Sequence, residues 1–450
     1  MDIRISPKIL FLACFAFFVT PVLPLTQNVY LNSLDIYVTP FVLLSFVLLG
    51  FTRRIFVTIV YLVLILFGYL LALEFIYQSG DPTGILVFLR LIPGLVVAYM
   101  LAYWFYTCYR EDSLKYFFYF VLIIALVQGG VLWISFFNDE FRALMDSIFW
   151  RSPDAAYHLV YLRVPAFSPS GGDGLGMNQA LLCLMATGSL YYIQGYKKLM
   201  VLMGILLSMI GTVFTARYGL LVGLPILVLL FLNEWKSSML TKAAILLFLL
   251  VSSLTTVYLL LPLISEWANL LILLNGYEDP LARALSGFRN YGSSGEIEFA
   301  TLRVLFVDMM LLPDDPFRFL FGNGDFGQMA VNTIDADSGY VRMLFGMGAV
   351  GTLTYLMLLL YAVLSVVKKL YLADFQLLNR SRLESAKSLA IYVILIALFI
   401  MLGHFKIMYI HTRIVTVLFF TLIFLLHLVF SQVSVSPRDD VLPADAVGAS

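Results

Sequence analysis

Charge is scarce in this chain of 450 residues: Asp, Glu, Lys and Arg together make up 12% of it, whereas hydrophobic residues make up 61%. A soluble domain carries about 25% charged residues, so this composition excludes an ordinary soluble protein. Several apolar runs reach the length of about 20 residues with which a helix crosses a bilayer. The sequence therefore predicts an all-α polytopic membrane protein.

Cysteines are few, and nucleotide-binding motifs are missing. The three cysteines, Cys14, Cys108 and Cys183, lie in apolar runs or in a short basic loop, which argues against a disulfide framework or a cysteine-ligated metal. The chain contains no Walker loop, dinucleotide fingerprint or nucleophile elbow. A nucleotide-driven pump is therefore excluded for this chain alone.

Hydropathy predicts about twelve transmembrane helices. The candidate spans are 9–25, 36–51, 55–77, 84–106, 114–137, 175–194, 199–214, 217–232, 243–263, 338–367, 388–404 and 412–431. We interpret the first as an uncleaved span, because no small-residue cleavage site follows it. The predicted organisation is an N-terminal five-span bundle (1–137), a first long loop (138–174), central spans (175–263), a large loop with an amphipathic helix (264–338), C-terminal spans (339–431) and a disordered tail (432–450).

The short loops indicate the orientation in the membrane. Loops 26–35 and 78–83 contain neither Lys nor Arg, whereas the alternate short loops are basic, beginning with Arg53 and Arg54. Because basic short loops stay in the cytoplasm, we expect both termini to be cytoplasmic. The two long loops, 138–174 and 264–338, are then expected on the outer face.

Arginine is concentrated in those outer loops and in the adjoining helix ends. Their cations are Arg142, Arg151, Arg163, Arg217, Arg283, Arg289, Arg303, Arg318, Arg342, Arg413 and a single lysine, Lys406. The planar guanidinium suits bidentate contact with phosphate or carboxylate and keeps its charge when partly dehydrated. Some of these arginines are expected to form salt bridges with acids of the same loops, and others to bind a ligand.

Two arginines stand out by their surroundings. Arg217 lies between two short apolar runs, where a charge is costly unless it points into a polar cavity. The alternative for Arg217 is an interfacial side chain that reaches the lipid headgroups. Arg303 lies in 296–312, whose apolar residues have helical spacing, so we expect an amphipathic helix on the outer membrane surface. A surface ion pair with Glu296 is the alternative for Arg303.

Candidate acids and bases lie at two places. Asp335 and Asp337 precede the span that begins at about 338, where a carboxylate either caps the helix or acts as a general base. Their D-x-D spacing also occurs in divalent-metal sites, which is the less favoured interpretation. His404 and His411 flank the last outer turn and titrate near neutral pH, so either is a candidate acid or base.

Three stretches resemble the O-antigen polymerase and O-antigen ligase superfamily of bacterial inner-membrane glycosyltransferases. Thr215-Ala216-Arg217-Tyr218-Gly219 is similar to the family's T-x-S-R-x-G, with Ala216 where Ser is usual. Arg303, Pro316 and Phe321-Gly322-Asn323-Gly324-Asp325-Phe326 are similar to its R … P … FGxGxxxF loop. Asp337-Ser338-Gly339-Tyr340-Val341-Arg342, followed by Gly348 and Gly351, leads into a span. With the predicted span layout, the likeness covers roughly residues 160–430.

The resemblance implies a GT-C-like glycosyltransferase with its active site at the periplasmic face of the inner membrane. Its donor would be an undecaprenyl-diphosphate-linked oligosaccharide, used without a metal or another cofactor. In the ligase branch the residue three before the tyrosine is usually histidine; here it is Asp337, which favours the polymerase branch. The expected partners are the lipid bilayer, a chain-length regulator protein and a flippase, with no nucleic acid.

The resemblance and the residue chemistry together suggest roles for ten side chains. The predicted acid or base residues are Asp337, His404 and His411; the predicted diphosphate ligands are Arg217, Arg303, Arg163 and Arg342; the predicted substrate contacts are Tyr340, Arg289 and Lys406. A ligase that transfers the same glycan to a lipid A core or a protein is the nearest alternative. A flippase is a second alternative, although the spans hold few charges beyond Glu74 and Arg90 to line a pathway.

Overall fold

The computed structural model describes residues 54–81, 83–148, 172–215, 217–234, 312–326, 338–376, 380–405 and 414–431, together with positions 8, 12, 15, 16, 265–267, 269, 270, 273 and 412. In this part of the chain every regular element is a helix. The α-helices are α1 Arg54–Tyr77, α2 Thr83–Tyr109, α3 Ser113–Phe137, α4 Asp139–Ile148, α5 Gly172–Ala186, α6 Tyr196–Ile210, α7 Arg217–Glu234, α8 Pro316–Phe321, α9 Gly339–Gln376, α10 Arg380–Gly403 and α11 Phe420–Ser431. The predicted all-α class is confirmed for these residues.

Several helices are long and apolar enough to cross a membrane. Four helical stretches meet that criterion: Arg54–Tyr77, Gly84–Phe137, Gly339–Tyr371 and Ala386–Gly403. The second contains α2 and α3, which a 3-10 turn at Arg110–Asp112 separates. The long helices of the described chain coincide with predicted spans, whereas α4 and α8 lie in the predicted loops 138–174 and 264–338. The predicted spans 36–51, 243–263 and most of 9–25 lie outside the described residues. The protein is therefore a helical membrane protein.

Some helix ends differ from the prediction. The glycine-rich stretch before 175 was expected to be loop, but α5 begins at Gly172. α9 continues to Gln376 and α10 begins at Arg380, so Lys368 and Lys369 lie in a helix instead of the predicted inner loop. Hydropathy misses these extensions because glycine and lysine lower it without ending a helix.

The last helix occupies the centre of the bundle. A π-helical stretch, Ile414–Phe419, leads into α11, and its side chains are buried on every side. A helix that is apolar all round belongs in such an interior. α11 packs against α2 and α9, while α9 also contacts α1, α8 and α10. The bundle thereby brings the start of α9, the end of α10 and the start of α7 to one end.

An uncharged polar cluster lies between α3, α5 and α6. The Gln179 side-chain amide donates to the Ala125 carbonyl at 2.9 Å and to the Ser208 hydroxyl at 2.6 Å, and all of these groups are buried. Ser208 also donates to the Ala125 carbonyl, at 2.7 Å. Hydrogen bonds of this kind hold transmembrane helices together. The predicted spans thus contain more buried polarity than their charges indicate.

Candidate functional site

The first motif places Arg217 at the start of α7. Arg217 is the first residue of that helix, and Tyr218 and Gly219 follow in its first turn. A Cβ built on Gly219 would lie 2.4 Å from the Gly176 carbonyl oxygen, so only glycine allows α7 to approach α5 this closely. The Tyr218 hydroxyl donates to the Leu402 carbonyl of α10 at 2.8 Å. These contacts fix the start of α7 between α5 and α10.

The third motif places Tyr340 against the end of α10. Its backbone amide donates to the His404 carbonyl at 3.1 Å, and its hydroxyl donates to the Met401 carbonyl at 2.8 Å. The Tyr340 ring packs on Phe405, with 4.9 Å between ring centroids. Arg342, half-buried, lies two residues further along α9, and its amide donates to the Ser338 carbonyl. The start of α9 is therefore joined to the end of α10.

His404 is buried and hydrogen-bonded at both ring nitrogens. Its Nδ1 lies 2.8 Å from the Ile400 carbonyl oxygen, and its Nε2 lies 2.6 Å from the Tyr355 hydroxyl. A carbonyl only accepts, so Nδ1 carries the proton and the neutral ring accepts the Tyr355 hydroxyl proton at Nε2. This tautomer follows from the hydrogen bonds. Through these two hydrogen bonds the His404 ring connects α10 to α9. The role of His404 as acid or base stays a prediction.

Three side chains cap the C-terminal end of α10. The last carbonyls of a helix have no partner within it. Here the carbonyls of Ile400, Met401 and Leu402 accept from His404 Nδ1, the Tyr340 hydroxyl and the Tyr218 hydroxyl, respectively. A membrane interior offers no water to such carbonyls, so these donors have a structural role at least. No pattern in the sequence predicts this capping, because two of its donors, Tyr218 and Tyr340, come from other helices.

One polar group at this end has no partner in the described part of the chain. The Ser338 hydroxyl is completely buried at the start of α9, beside Tyr340, and makes no hydrogen bond there. The hydroxyls of Ser113, Ser135 and Ser189 are also buried without a partner in this part of the chain, so this feature alone does not mark a functional site. Ser338 directly follows Asp337, the predicted base. It was quoted within the motif, but no role was predicted for it.

The second motif forms a turn that docks on α9 and on the α1–α2 connection. The amides of Asn323 and Gly324 donate to the carbonyls of Phe345 and Gly346, both at 2.9 Å. The Phe326 amide donates to the Asp81 carboxylate at 2.8 Å. The Phe326 ring is buried where a Cβ on either Gly84 or Gly346 would overlap it. The turn therefore joins the first part of α9 to the α1–α2 connection, which is 245 positions away in sequence at the contact between Phe326 and Asp81.

The turn is also held by residues that sequence reasoning did not assign to it. Glu74 accepts from the Ser79 hydroxyl at 2.5 Å and from the Gly80 amide at 3.1 Å. The Ser79 hydroxyl lies 3.3 Å from the Gly324 carbonyl oxygen. The only sequence signal for this contact was the presence of Glu74, an acid near the end of an apolar span.

The structure thus groups four of the ten predicted site residues at one end of the bundle: the start of α7 with Arg217, then Tyr340, Arg342 and His404. The others, Asp337, His411, Arg303, Arg163, Arg289 and Lys406, lie outside the described residues. Within the described part of the chain, no cluster of three His, Cys, Asp or Glu side chains is suited to a metal ion.

No family model, curated protein or solved structure matches this chain. An interpretation of its function therefore depends on the residues and the geometry described above.

Proposed function

We propose that this protein is a polysaccharide polymerase of the O-antigen type at the outer face of a bacterial inner membrane. It would transfer a glycan from undecaprenyl diphosphate to the non-reducing end of a lipid-linked repeat unit. The observation that supports the proposal is the convergence of the first motif, at 215–219, with the third, which begins more than 100 residues later. The Tyr218 and Tyr340 hydroxyls donate to adjacent carbonyls of α10, and the 321–326 turn binds the carbonyls of Phe345 and Gly346 near the start of α9.

The proposed reaction needs a cationic site for the leaving group. The acceptor hydroxyl oxygen attacks the anomeric carbon, and the bond from that carbon to the diphosphate oxygen breaks with its electron pair going to the diphosphate. Preorganised cations lower the energy of the charge that develops there. We assign the diphosphate to Arg217, the first residue of α7, and to Arg342, near the start of α9, with Arg303 and Arg163 as the further proposed ligands.

The reaction also needs a base for the proton of the acceptor hydroxyl. We assign this role to Asp337, which immediately precedes the buried Ser338, with His411 as the second choice. His404 is the weakest of the three candidates because both of its ring nitrogens are already bonded. Tyr340, Arg289 and Lys406 would contact the sugars.

The test is the surface-polysaccharide pattern of a deletion strain that carries wild-type protein, Arg217→Ala or Asp337→Asn. We expect the wild type to restore a ladder and both variants to stop at core plus one repeat unit. Arg318→Ala, an exposed arginine beside Asp315, is the matched control and should restore the ladder.

Two other patterns would contradict the proposal. Bare core with polymerised chains left on the lipid carrier in the deletion strain would identify a ligase. Lipid-linked units that fail to reach the outer face would identify a flippase. A normal ladder from both variants would refute the assigned site.

A further inference from the structure

The described part of the large loop lies deeper than a surface loop should. The sequence predicts that 264–338 lies outside the membrane. The structure instead places Leu312–Phe326 against the sides of two membrane-spanning helices. The Tyr69 hydroxyl of α1 donates to the Phe321 carbonyl at 2.5 Å and lies 3.2 Å from the Met347 carbonyl of α9.

The depth of this contact below the helix ends can be calculated from α1 and from α9 separately. Tyr69 lies eight residues before Tyr77, the last residue of α1. Met347 lies eight residues after Gly339, the first residue of α9. With a rise of about 1.5 Å per residue, each interval is about 12 Å. Both helices thus place Phe321 about 12 Å below their outer ends.

The end of α1 is itself lined with apolar side chains that face outward. Phe75 is 85% exposed and Ile76 is 68% exposed, in the last turn of a helix that satisfies the criterion for a span. A helix of 24 residues is about 36 Å long, only slightly more than the about 30 Å of a hydrocarbon core. Phe321 is therefore level with the outer half of the hydrocarbon.

The backbone of the turn is paired as this position requires. Irregular backbone survives at membrane depth only where its polar groups are satisfied by protein or by water in a cavity. The five consecutive amides from Gly322 to Phe326 all donate, to the Arg318 carbonyl, the Phe345 carbonyl, the Gly346 carbonyl, the Asn323 side chain and the Asp81 carboxylate. Such complete pairing is unnecessary for a loop in water.

The side chains of α8 show what surrounds it. Phe317 is 57% exposed and Leu320 is 46% exposed, and Phe321 is also exposed. Apolar side chains at this depth, on a helix whose backbone is tied to α1 and α9, face lipid tails at little cost. At the other end of α8 the Asp315 side chain accepts from the Phe317 amide and lies 3.9 Å from Arg318, the exposed cation of this helix, whose long side chain can reach the headgroups.

We propose that residues 316–326 form a re-entrant element, in which α8 dips into the outer leaflet and the following turn returns along α1 to the surface. Its partner is the acyl-chain region of the bilayer. This inference is independent of the proposed enzymatic function, since it depends only on depth, exposure and backbone pairing.

The test measures the water accessibility of single cysteines in the full-length protein. Leu320→Cys and Phe321→Cys are made in a background without Cys14, Cys108 and Cys183, and right-side-out spheroplasts are treated with a charged, membrane-impermeant thiol reagent. Asp139→Cys, at the outer end of α3, is the water-exposed control. Ile65→Cys, exposed in the middle of α1, is the lipid-exposed control.

We expect both α8 cysteines to react about tenfold or more slower than Asp139→Cys, like Ile65→Cys, because hydrocarbon excludes the charged reagent. All four should react fully after denaturation in dodecyl sulfate. Nitroxides on the two α8 cysteines and on Ile65→Cys should collide more with oxygen than with a water-soluble nickel chelate, whereas a nitroxide on Asp139→Cys should show the opposite preference. Reaction of either α8 cysteine at the rate of Asp139→Cys, or a nitroxide that prefers the nickel chelate, would overturn the proposal.

Discussion

Gly322 and Gly348 meet backbone to backbone at the point where the 321–326 turn docks on α9. A Cβ built on Gly322 would lie 2.5 Å from the Gly348 nitrogen, and one built on Gly348 would lie 2.5 Å from the Gly322 nitrogen. Both residues have positive φ, +75° and +65°, with ψ near 180°. That region is open essentially to glycine alone. The non-helical conformation of Gly348 interrupts α9. The carbonyls of Phe345 and Gly346, just before this break, accept from the amides of the turn.

Gly348→Ala should therefore destabilise the protein strongly. The backbone conformation alone costs of order 1–3 kcal/mol in a non-glycine residue, and the new methyl group would also lie 2.4 Å from the Leu320 carbonyl oxygen. We expect the midpoint of thermal unfolding in detergent to fall by several degrees. Gly130→Ala is the control, since a Cβ there meets nothing within 4 Å. Equal unfolding midpoints for the two variants would contradict this account of the docking.

The sequence predicted the helices better than it predicted their contacts. Apolar runs report on one chain segment at a time, so α1 and α3 begin and end close to the predicted bounds, as does the combination of the π-helical stretch and α11. The glycines of the 321–326 stretch indicated a turn, as glycine often does. Nothing indicated that the Phe326 amide would bind Asp81, a residue 245 positions away. A contact between distant segments leaves no periodic signal in a single sequence.

The hydroxyls of Tyr218 and Tyr340 should contribute to the stability of the end of α10. The Tyr218 hydroxyl donates to the Leu402 carbonyl, which also accepts from the Phe405 amide, and the Tyr340 hydroxyl donates to the Met401 carbonyl, which also accepts from the His404 amide. Removing either hydroxyl should therefore cost the net value of one hydrogen bond, about 0.5–1.5 kcal/mol. Tyr218→Phe and Tyr340→Phe should each lower the unfolding midpoint in detergent, and the double variant should lower it further. Tyr61→Phe, 63% exposed on α1, should change nothing. A site variant that loses polysaccharide but keeps its unfolding midpoint would separate a substrate role of Tyr340 from this capping.

The candidate site was predictable in part, and for a physical reason. An arginine between two short apolar runs is conspicuous, so Arg217 was selected from its surroundings in the sequence, whereas Tyr340 was selected through the motif resemblance. His404 was selected by its titration range, but the sequence did not show that Ile400 and Tyr355 would bind both ring nitrogens. Ser338 received no predicted role because a serine at a helix start is ordinary, and its burial beside Tyr340 is visible only in the structure.

The contact between Gly84 and the Phe326 ring can be tested with a double variant, in which the second substitution should partly relieve the destabilisation caused by the first. A Cβ on Gly84 would lie 2.1 Å from the Phe326 ring, which is fixed on its other side at Gly346. Gly84→Ala should therefore push the ring out of its site and lower the unfolding midpoint, since overpacking typically costs about 1–3 kcal/mol. Phe326→Leu alone should cost a similar amount through lost contacts.

In the double variant the smaller leucine leaves room for the new methyl group, so the two losses should partly cancel. We expect Gly84→Ala/Phe326→Leu to unfold at a higher temperature than the sum of the single shifts predicts. Gly68→Ala, on a helix position with nothing within 4 Å, combined with Phe326→Leu provides the additive reference. Strict additivity for the Gly84 pair would show that the ring does not occupy the space beside Gly84, and that the turn docks elsewhere on α2.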